Sequence, residues 1–254
     1  SVTFDGTRLD AVPPREMRKL RRRMQIVFQD PFGSLDPRRR IGAQIADGMA
    51  IHGPPAGVRA QGRVAALLAQ VGLDPSHADR YPHEFSGGQR QRIGIARALS
   101  TGPDFIVADE PVSSLDVSIQ AQILELLGSL RRSLGLSMLF ISHDLPVVRH
   151  MCDRVIVMYL GRIMEEGPAR DVLGQARHPY TRALNSATPH LEPGRRRQRT
   201  VLAGDPPSPA NPPTGCPFRT RCPHAIEACA AEVPRLEPVG PGHRAACRRL
   251  DALG

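Results

Sequence analysis

Short runs of consecutive apolar residues alternate along the chain with stretches in which apolar residues recur every three or four positions. The runs predict buried strands, and they read "MQIVF", "FIVADE", "SMLFIS" and "DRVIVMY". The helical spacing predicts amphipathic helices within residues 64–71 and 119–130, and a charged helix is predicted over residues 15–23. Buried strands separated by helices indicate an α/β fold with a mainly parallel sheet.

The amino-acid composition of the chain changes near residue 168. A short helical patch, "HPYTRALNSATP", leads into a linker rich in Pro and Arg over residues 189–213, and four cysteines follow. Pro-rich segments lack the apolar content for a core of their own. We therefore predict a main domain over residues 1–167 and an appended module over residues 168–254.

The composition excludes some classes of protein. Of the 254 residues 41% are apolar, no apolar run approaches membrane-spanning length, and the N-terminus carries no signal-peptide pattern, so we expect a cytosolic protein. The formal net charge of +9 fits a nucleic-acid or acidic membrane partner, but the short, scattered Arg runs are explained better by solvated helix faces. Aromatic residues make up only 4%, so the stacking side chains of a single-strand nucleic-acid binder are missing.

Two carboxylates stand at the end of the strand in "FIVADEP". Ligands of open α/β sheets bind at the carboxyl ends of the strands, which places Asp109 and Glu110 on the ligand side. We predict that Asp109 holds Mg²⁺ through water and that Glu110 orients or deprotonates an attacking water, as phosphoryl transfer requires. The alternative is a strand that ends in two solvated acids.

Three further polar residues follow predicted strands or precede a helix. His143 ends the strand of "LFISHDL", where it could contact a phosphate, and Gln29 in "VFQDP" could reach Mg²⁺ and the attacking water. Asp116 in "VSSLD" is an acid in a loop before a helix. The alternatives are a structural His, an ordinary loop Gln and an Asp that caps the helix.

The stretch "EFSGGQRQRIGIARAL" predicts an amphipathic helix. It begins with a serine, which carries a hydroxyl, and two glycines, whose backbone amides are not covered by side chains. A helix N-terminus of this kind favours a bound anion, so Ser86, Gly87, Gly88 and Gln89 are candidate phosphate-binding residues. The alternative is an ordinary Ser N-cap followed by flexible glycines.

These motifs, in this order, resemble the ATP-binding subunits of ABC transporters. "VFQDP" resembles the Q-loop, "FSGGQRQRIGIARAL" the ABC signature, "FIVADEP" Walker B, "SSLD" the D-loop and "ISHD" the His switch. The resemblance runs from Val2 to the C-terminus and implies an ABC-type nucleotide-binding domain with a helical subdomain at about residues 41–100. It also implies that ATP is bound between two such subunits, with the signature contacting the γ-phosphate of the nucleotide that the partner holds.

The phosphate-binding motif G-x-x-x-x-G-K-[ST] does not occur in these residues, and the single lysine, Lys19, follows no Gly-rich stretch. Because the chain opens directly on "VTFDG", we expect it to be truncated at the N-terminus, before Walker A. We also expect residues 1–254 alone to show negligible ATP hydrolysis, since the main cradle for the β- and γ-phosphates is missing.

The resemblance narrows to the oligopeptide/dipeptide importers, a branch that includes some nickel transporters. It rests on "QDPFGSLDPRRRIG", "HPYTRALNSATP" and "GDPPSPANPPTGCPFRTRCPHA". It implies a subunit peripheral to the cytoplasmic face of the membrane that powers uptake of di- or oligopeptides. Its implied partners are a second ATPase subunit, transmembrane permeases and, indirectly, a periplasmic or extracellular solute-binding protein, with no nucleic acid.

Two alternatives to this implied function stay open at the level of sequence. The cassette also occurs in ATPases that act on nucleic acid, such as repair and translation factors. A chain without a P-loop could also be a non-catalytic partner, although Glu110 and His143 are retained. The loop that carries Arg38, Arg39 and Arg40 lies where this family meets its membrane partner, although it could be a solvated loop.

The last four cysteines, Cys216, Cys222, Cys229 and Cys247, are separated by 5, 6 and 17 residues. A disulfide framework fits a cytosolic chain poorly, and the spacing lacks the close pairs of ordinary zinc sites. The spacing predicts a metal site without naming the metal, with four unrelated thiols as the alternative. The family resemblance favours a [4Fe–4S] cluster. Cys152 is expected to be a small core residue.

Overall fold

The computed structural model describes residues 1–55, 57, 62–188 and 200–253. They form two compact units, residues 1–143 and residues 144–254, which are described separately. Much of the predicted Pro- and Arg-rich linker, residues 189–199, lies outside the described residues. Within the described part of the chain no helix combines the length and the apolar character needed to cross a bilayer.

The first unit begins with a short hairpin and a basic helix. Strands β1 (Thr3–Phe4) and β2 (Thr7–Arg8) pair antiparallel, and both turn residues between them have positive φ. Helix α1 (Pro14–Arg23) starts on a proline, whose missing N–H costs nothing at that position. Its last turn is basic, which suits the negative end of the helix dipole.

A three-stranded parallel sheet forms the centre of this unit. Strands β3 (Met24–Val27), β4 (Phe105–Asp109) and β5 (Ser137–Ile141) lie in the order β3-β4-β5. In this register Val27 pairs with Ala108, and Asp109 pairs with Ile141. Parallel pairing brings the carboxyl ends of the three strands to one edge of the sheet.

Four helices accompany this sheet. Between β3 and β4 lie α2 (Ile41–His52), α3 (Arg63–Gln70) and α4 (Gly87–Leu99), and α5 (Val117–Leu134) connects β4 with β5. Their apolar stripes are fully buried at Ile41, Ile45, Leu67, Leu68, Ile93, Ile95 and Ile123. Helix α5 ends at Gly135, which adopts the left-handed conformation typical of a helix C-terminus.

The second unit is built on an antiparallel sheet. In chain order it contains α6 (Leu145–Met151), β6 (Arg154–Tyr159), β7 (Arg162–Pro168), α7 (Ala169–Gly174), α8 (Pro179–Ala187), β8 (Glu237–Gly240), β9 (His243–Ala245) and α9 (Leu250–Leu253). The strand order is β6-β7-β9-β8, with antiparallel neighbours throughout.

The α/β fold class is confirmed, and the described residues form one parallel and two antiparallel sheets. The strand predicted from "DRVIVMY" is β6, which joins β7 through a tight turn. Leu160 and Gly161 in this turn both have positive φ, as the type I′ turn of a two-residue hairpin requires. The apolar pattern predicts that this segment is a strand, whereas the tight turn makes its pairing with β7 antiparallel.

The C-terminal module is not the coreless extension that its proline content predicts. Phe218 is fully buried and meets the ring of Tyr159 edge to face, with centroids 5.4 Å apart, and it also packs against Tyr180. Strands β8 and β9 complete the sheet that β6 and β7 begin. The residues after 168 therefore share a hydrophobic core with residues that precede them. The predicted domain boundary between residues 167 and 168 stays a prediction.

Candidate functional site

Strand β4 delivers two acids to the edge of the parallel sheet. Asp109 is the last residue of β4, and Glu110 follows it. The backbone N–H of Glu110 donates to the carbonyl of Ile141 at 3.0 Å, so pairing with β5 extends one residue past the strand. This bond fixes where the Glu110 side chain leaves the sheet.

The side chain of Glu110 contacts two other residues that the sequence singles out. Gln29 Nε2 donates to Glu110 Oε2 at 2.9 Å, and His143 Nδ1 lies 3.2 Å from Glu110 Oε1. The Glu110 side chain is 25% exposed and that of His143 75% exposed. The cluster is therefore open to solvent on the histidine side, where a substrate could enter.

The backbone at Glu110 is strained. Its φ of +42° lies in the left-handed region, which residues other than glycine enter rarely. Both the backbone N–H of Ser113 and its hydroxyl donate to the Glu110 carbonyl, at 3.2 and 3.1 Å. Ser113 lies in the "SSLD" stretch, but nothing in the sequence singles out its contact with Glu110.

The oxygen donors at this edge fit a magnesium–nucleotide complex. Among the described residues, no group of three or more His, Cys, Asp or Glu side chains is arranged to hold a metal ion by itself. Mg²⁺ is usually held by one or two carboxylates together with substrate phosphates and water, so it needs no such cage. Asp109 and the Gln29 amide supply donors of that kind.

At the N-terminus of α4 the structure has the ordinary cap that sequence analysis offers as an alternative. Ser86 Oγ accepts a hydrogen bond from the Gln89 N–H at 3.4 Å, and the Gln89 side chain accepts one from the Ser86 N–H at 3.0 Å. This reciprocal capping box fixes the start of the helix. The backbone amide of Gly88, in the first turn, has no partner within the helix.

The two glycines of this motif also make close packing contacts. A Cβ at position 87 would lie 3.4 Å from Leu115 Cδ2, and one at position 88 would lie 2.5 Å from Ile119 Cγ2. The second distance is too short for a real side chain. Gly88 thus allows the start of α4 to lie against the start of α5.

The side chain of Asp116 does not cap α5, although the residue occupies the N-cap position. Its side chain makes no capping hydrogen bond, while its carbonyl accepts from the Gln120 N–H at 2.8 Å. Asp116 is exposed to solvent. The capping alternative is therefore wrong for the side chain, which stays available for other contacts.

The loop after Gln29 is tied to α2. The Gln44 side chain is buried, donates to the carbonyls of Asp36 and Arg39 at 3.0 and 2.9 Å, and accepts from the Asp36 N–H at 2.9 Å. Arg39 makes a two-pronged ion pair with Asp47 at 2.7 Å, which lowers the pKa of Asp47. A loop that is only solvated would not need these hydrogen bonds and this ion pair.

The other two arginines of this loop are exposed. Arg40 pairs with Asp79 at 3.0 Å, and the backbone N–H of Arg38 donates to Asp36. Two of the three arginines of the run thus have acidic partners within the chain.

The four C-terminal cysteines all belong to the second unit. Cys216 and Cys229 are buried and are joined by a backbone hydrogen bond of 2.8 Å, while Cys222 and Cys247 are half-buried. Burial, followed by the charges of neighbouring cysteines, raises the pKa values of Cys216, Cys222 and Cys247. The thiols are therefore close enough to influence one another.

The expected iron–sulfur site is not confirmed by this arrangement. No metal-holding group is present among the described residues, which include all five cysteines, and none of these cysteines forms a disulfide. Cys152 is half-buried and packs at the margin of the core formed by Val148, Val155 and Val172.

Two family models match the chain. The model described as ABC transporter matches residues 1–113, and the model described as the C-terminal region of the oligopeptide/dipeptide transporter matches residues 164–229.

Curated relatives resemble the chain over nearly its whole length. A putative peptide import ATP-binding protein of Brucella ovis is 59% identical over 98% of this chain and 78% of its own length. The putative oligopeptide transport ATP-binding protein YkfD of Bacillus subtilis is 50% identical over 97% and 76%. The dipeptide transport ATP-binding protein DppF of Escherichia coli is 47% identical over 98% and 74%.

Solved structures show the same fold. A dimeric ATP-binding cassette in a post-hydrolysis state with ADP and Pi has a TM-score of 0.56 at 29% identity, over 66% of this chain and 72% of its own. The cbiO1 protein of Clostridium perfringens, part of the transporter complex cbiONQ, has a TM-score of 0.59 at 28% identity, over 68% and 67%. These matches support the transporter hypothesis rather than the nucleic-acid alternative. The chain therefore belongs to the ATP-binding, ATP-hydrolysing subunits of ABC transporters, in the oligopeptide/dipeptide importer family.

Proposed function

We propose that this subunit powers the uptake of di- or oligopeptides, with Glu110 at the centre of its hydrolytic site. The cargo is supported by the names of the relatives, which include peptide, oligopeptide and dipeptide transport proteins. The hydrolytic site is supported by one observation above all. Glu110 is held between Gln29 and His143 at the edge of the sheet where nucleotides bind.

In this proposal Glu110 orients the attacking water and accepts its proton. The hydrogen bond from Gln29 holds one carboxylate oxygen in place and leaves the other directed towards His143. His143, exposed at the same edge, contacts the γ-phosphate and stabilises the charge that develops on it. Fixed donors around a carboxylate reduce the reorganisation needed during the reaction.

Asp109 and Gln29 would hold Mg²⁺ together with the nucleotide. When bound, Mg²⁺ neutralises charge on the β- and γ-phosphates. Asp109 would act through a bound water, and the Gln29 amide oxygen would be free to act as a ligand while its nitrogen donates to Glu110.

A second subunit completes the nucleotide site. We infer that Ser86, Gly87, Gly88 and Gln89 contact the γ-phosphate of a nucleotide bound by the partner, and that Asp116 lies at the same interface. The exposed side chain of Asp116 supports this, as does the dimeric form of a solved relative.

The subunit is proposed to work on the cytoplasmic face of the membrane. Its proposed partners are permease subunits, which contact the loop after Gln29, and indirectly a solute-binding protein. The order that Gln44 and the Arg39–Asp47 pair impose on that loop supports an interface there.

The hydrolytic role is tested by Glu110→Gln in the natural full-length protein. Loss of the base should lower ATP turnover by about 10²–10⁴-fold while ATP still binds and the dimer accumulates. Glu125→Gln, on the exposed face of α5, is the matched control and should turn over ATP as the wild type does. Wild-type turnover in Glu110→Gln would remove Glu110 from the mechanism.

The identity of the transported substrate is tested by an uptake assay. Proteoliposomes that contain the assembled importer should take up labelled di- or oligopeptides in an ATP-dependent way. Uptake of Ni²⁺ but of no peptide would overturn the peptide assignment and leave the ATPase assignment intact.

We also propose that Cys216, Cys222, Cys229 and Cys247 hold a [4Fe–4S] cluster in protein prepared without oxygen. Four thiols within one unit, two of them buried and two half-buried, form a suitable donor set, although no group of described side chains is arranged to hold a metal ion. Iron content and visible absorbance should fall in Cys222→Ser but not in Cys152→Ser. An iron-free wild type would end the proposal.

A further inference from the structure

Gln120 makes contacts that its place in the sequence does not suggest. It lies in the first turns of α5 and is half-buried. Its side-chain nitrogen donates to the carbonyl of Val112 at 3.0 Å and to that of Leu115 at 2.9 Å. Both acceptors belong to the 111–116 loop, which runs from Glu110 to the start of α5.

The chemistry of this contact requires a side chain that donates two N–H hydrogen bonds. A primary amide carries two hydrogens in a planar fork, and here each faces one carbonyl oxygen. Because both partners only accept, the nitrogen rather than the oxygen of Gln120 must face the loop. A carboxylate of the same size would place acceptor against acceptor, and a thioether would leave both carbonyls without this donor.

The two bonds complete a chain of contacts through the loop. The Glu110 carbonyl accepts from Ser113, and the Val112 carbonyl accepts from both the Leu115 N–H and Gln120. Leu115 also faces Gly87 at the start of α4. The backbone is thus tied from Glu110 to the residue before Asp116.

We propose that Gln120 is a positioning residue for ATP hydrolysis. It fixes the 111–116 loop so that Asp116 is presented towards the second subunit while Glu110 keeps its left-handed backbone. This proposal rests on the proposed function, since it assigns Asp116 to the subunit interface. Gln120 itself touches neither nucleotide nor water.

The first test needs no nucleotide. In Gln120→Met the amide hydrogens of Ser113 and Leu115 should exchange with solvent about tenfold faster, as expected for the loss of two hydrogen bonds that support the loop. The interior of α5 should keep its protection. Gln122→Met, two residues on, is the matched control, since Gln122 is exposed and lies 3.5 Å from Arg92. Unchanged exchange in Gln120→Met would overturn the proposal.

The second test measures ATP turnover in the natural full-length protein. Gln120→Met should lower kcat by about tenfold and leave KM for ATP within about twofold, and Gln120→Glu should lower kcat at least as much. Faster exchange with unchanged kcat would overturn the positioning role. If the wild type itself does not hydrolyse ATP, the proposed function fails, and the exchange result still reports on the loop contact.

Discussion

The imidazole of His143 and the carboxylate of Glu110 meet with 3.2 Å between Nδ1 and Oε1, although 33 positions separate them in the chain. The contact arises because β4 and β5 are parallel neighbours, which brings their carboxyl ends to the same edge. The two side chains follow different strands, and the sequence assigns both of them to the same reaction.

This contact predicts the behaviour of His143→Ala. Removing a positioned group that stabilises transition-state charge should lower kcat by about 10²-fold, with ATP binding largely kept. Steady-state kinetics of the variant measure both quantities. His150→Ala, a substitution of an exposed histidine on α6, should leave kcat unchanged, and equal kinetics for the two variants would contradict the role of His143.

Gly88→Ala should destabilise the first unit by about 1–3 kcal/mol, because the new Cβ overlaps Ile119 Cγ2. Gly94→Ala on the same helix has open space around it and should be neutral or slightly stabilising. Denaturant unfolding measures the free energy of each variant. If the clash is the cause, adding Ile119→Ala to Gly88→Ala recovers stability relative to the sum of the single changes.

Phe218→Ala should destabilise the second unit by about 3–5 kcal/mol, since it empties the fully buried centre of an aromatic cluster. Phe32→Ala, at a ring that is 57% exposed, should cost much less. Thermal unfolding followed by near-ultraviolet circular dichroism reports on the ring environments. Equal losses for the two variants would contradict the assignment of Phe218 to a core.

The stability of the second unit should fall between about pH 6.5 and pH 4. Burial lowers the pKa of His178 from 6.5 to about 4, so in this range the unfolded chain binds a proton that the folded chain does not. Stability from this group is complete above pH 6.5 and declines by about 3 kcal/mol as the pH falls to 4.

His178→Asn tests this pH dependence. His178 Nδ1 accepts the Tyr180 N–H at 3.1 Å at the start of α8, and Asn can serve as the same kind of cap without titrating. The pH slope of the unfolding free energy should become shallower in this variant. An identical slope in His178→Asn and in the wild type would show that another group titrates.

Much of the geometry of the candidate site could be predicted because it depends on local pattern. A short apolar run ending in polar residues identifies both a buried strand and its functional end, and parallel pairing then brings Asp109, Glu110 and His143 to one edge. Gln29 follows β3 and meets Glu110 for the same reason.

The last strands of the second unit and their partners could not be predicted in this way. Strands β8 and β9 are three or four residues long, and β9 pairs with β7 from 78 positions away, as the Glu166–Arg244 pair shows. The buried Glu165, which accepts from the N–H groups of Arg177 and His178 and contacts His243, looks like a surface acid in the sequence. Periodicity carries no information about such distant partners.

The capping box at Ser86 has a consequence for phosphate binding. A serine hydroxyl has two lone pairs and one hydrogen, and the bond from the Gln89 N–H uses only a lone pair. The hydrogen stays available to donate to an anion while the cap remains intact. The start of α4 can therefore have its final conformation before a nucleotide binds. Binding of a phosphate there requires no exchange of hydrogen-bond partners.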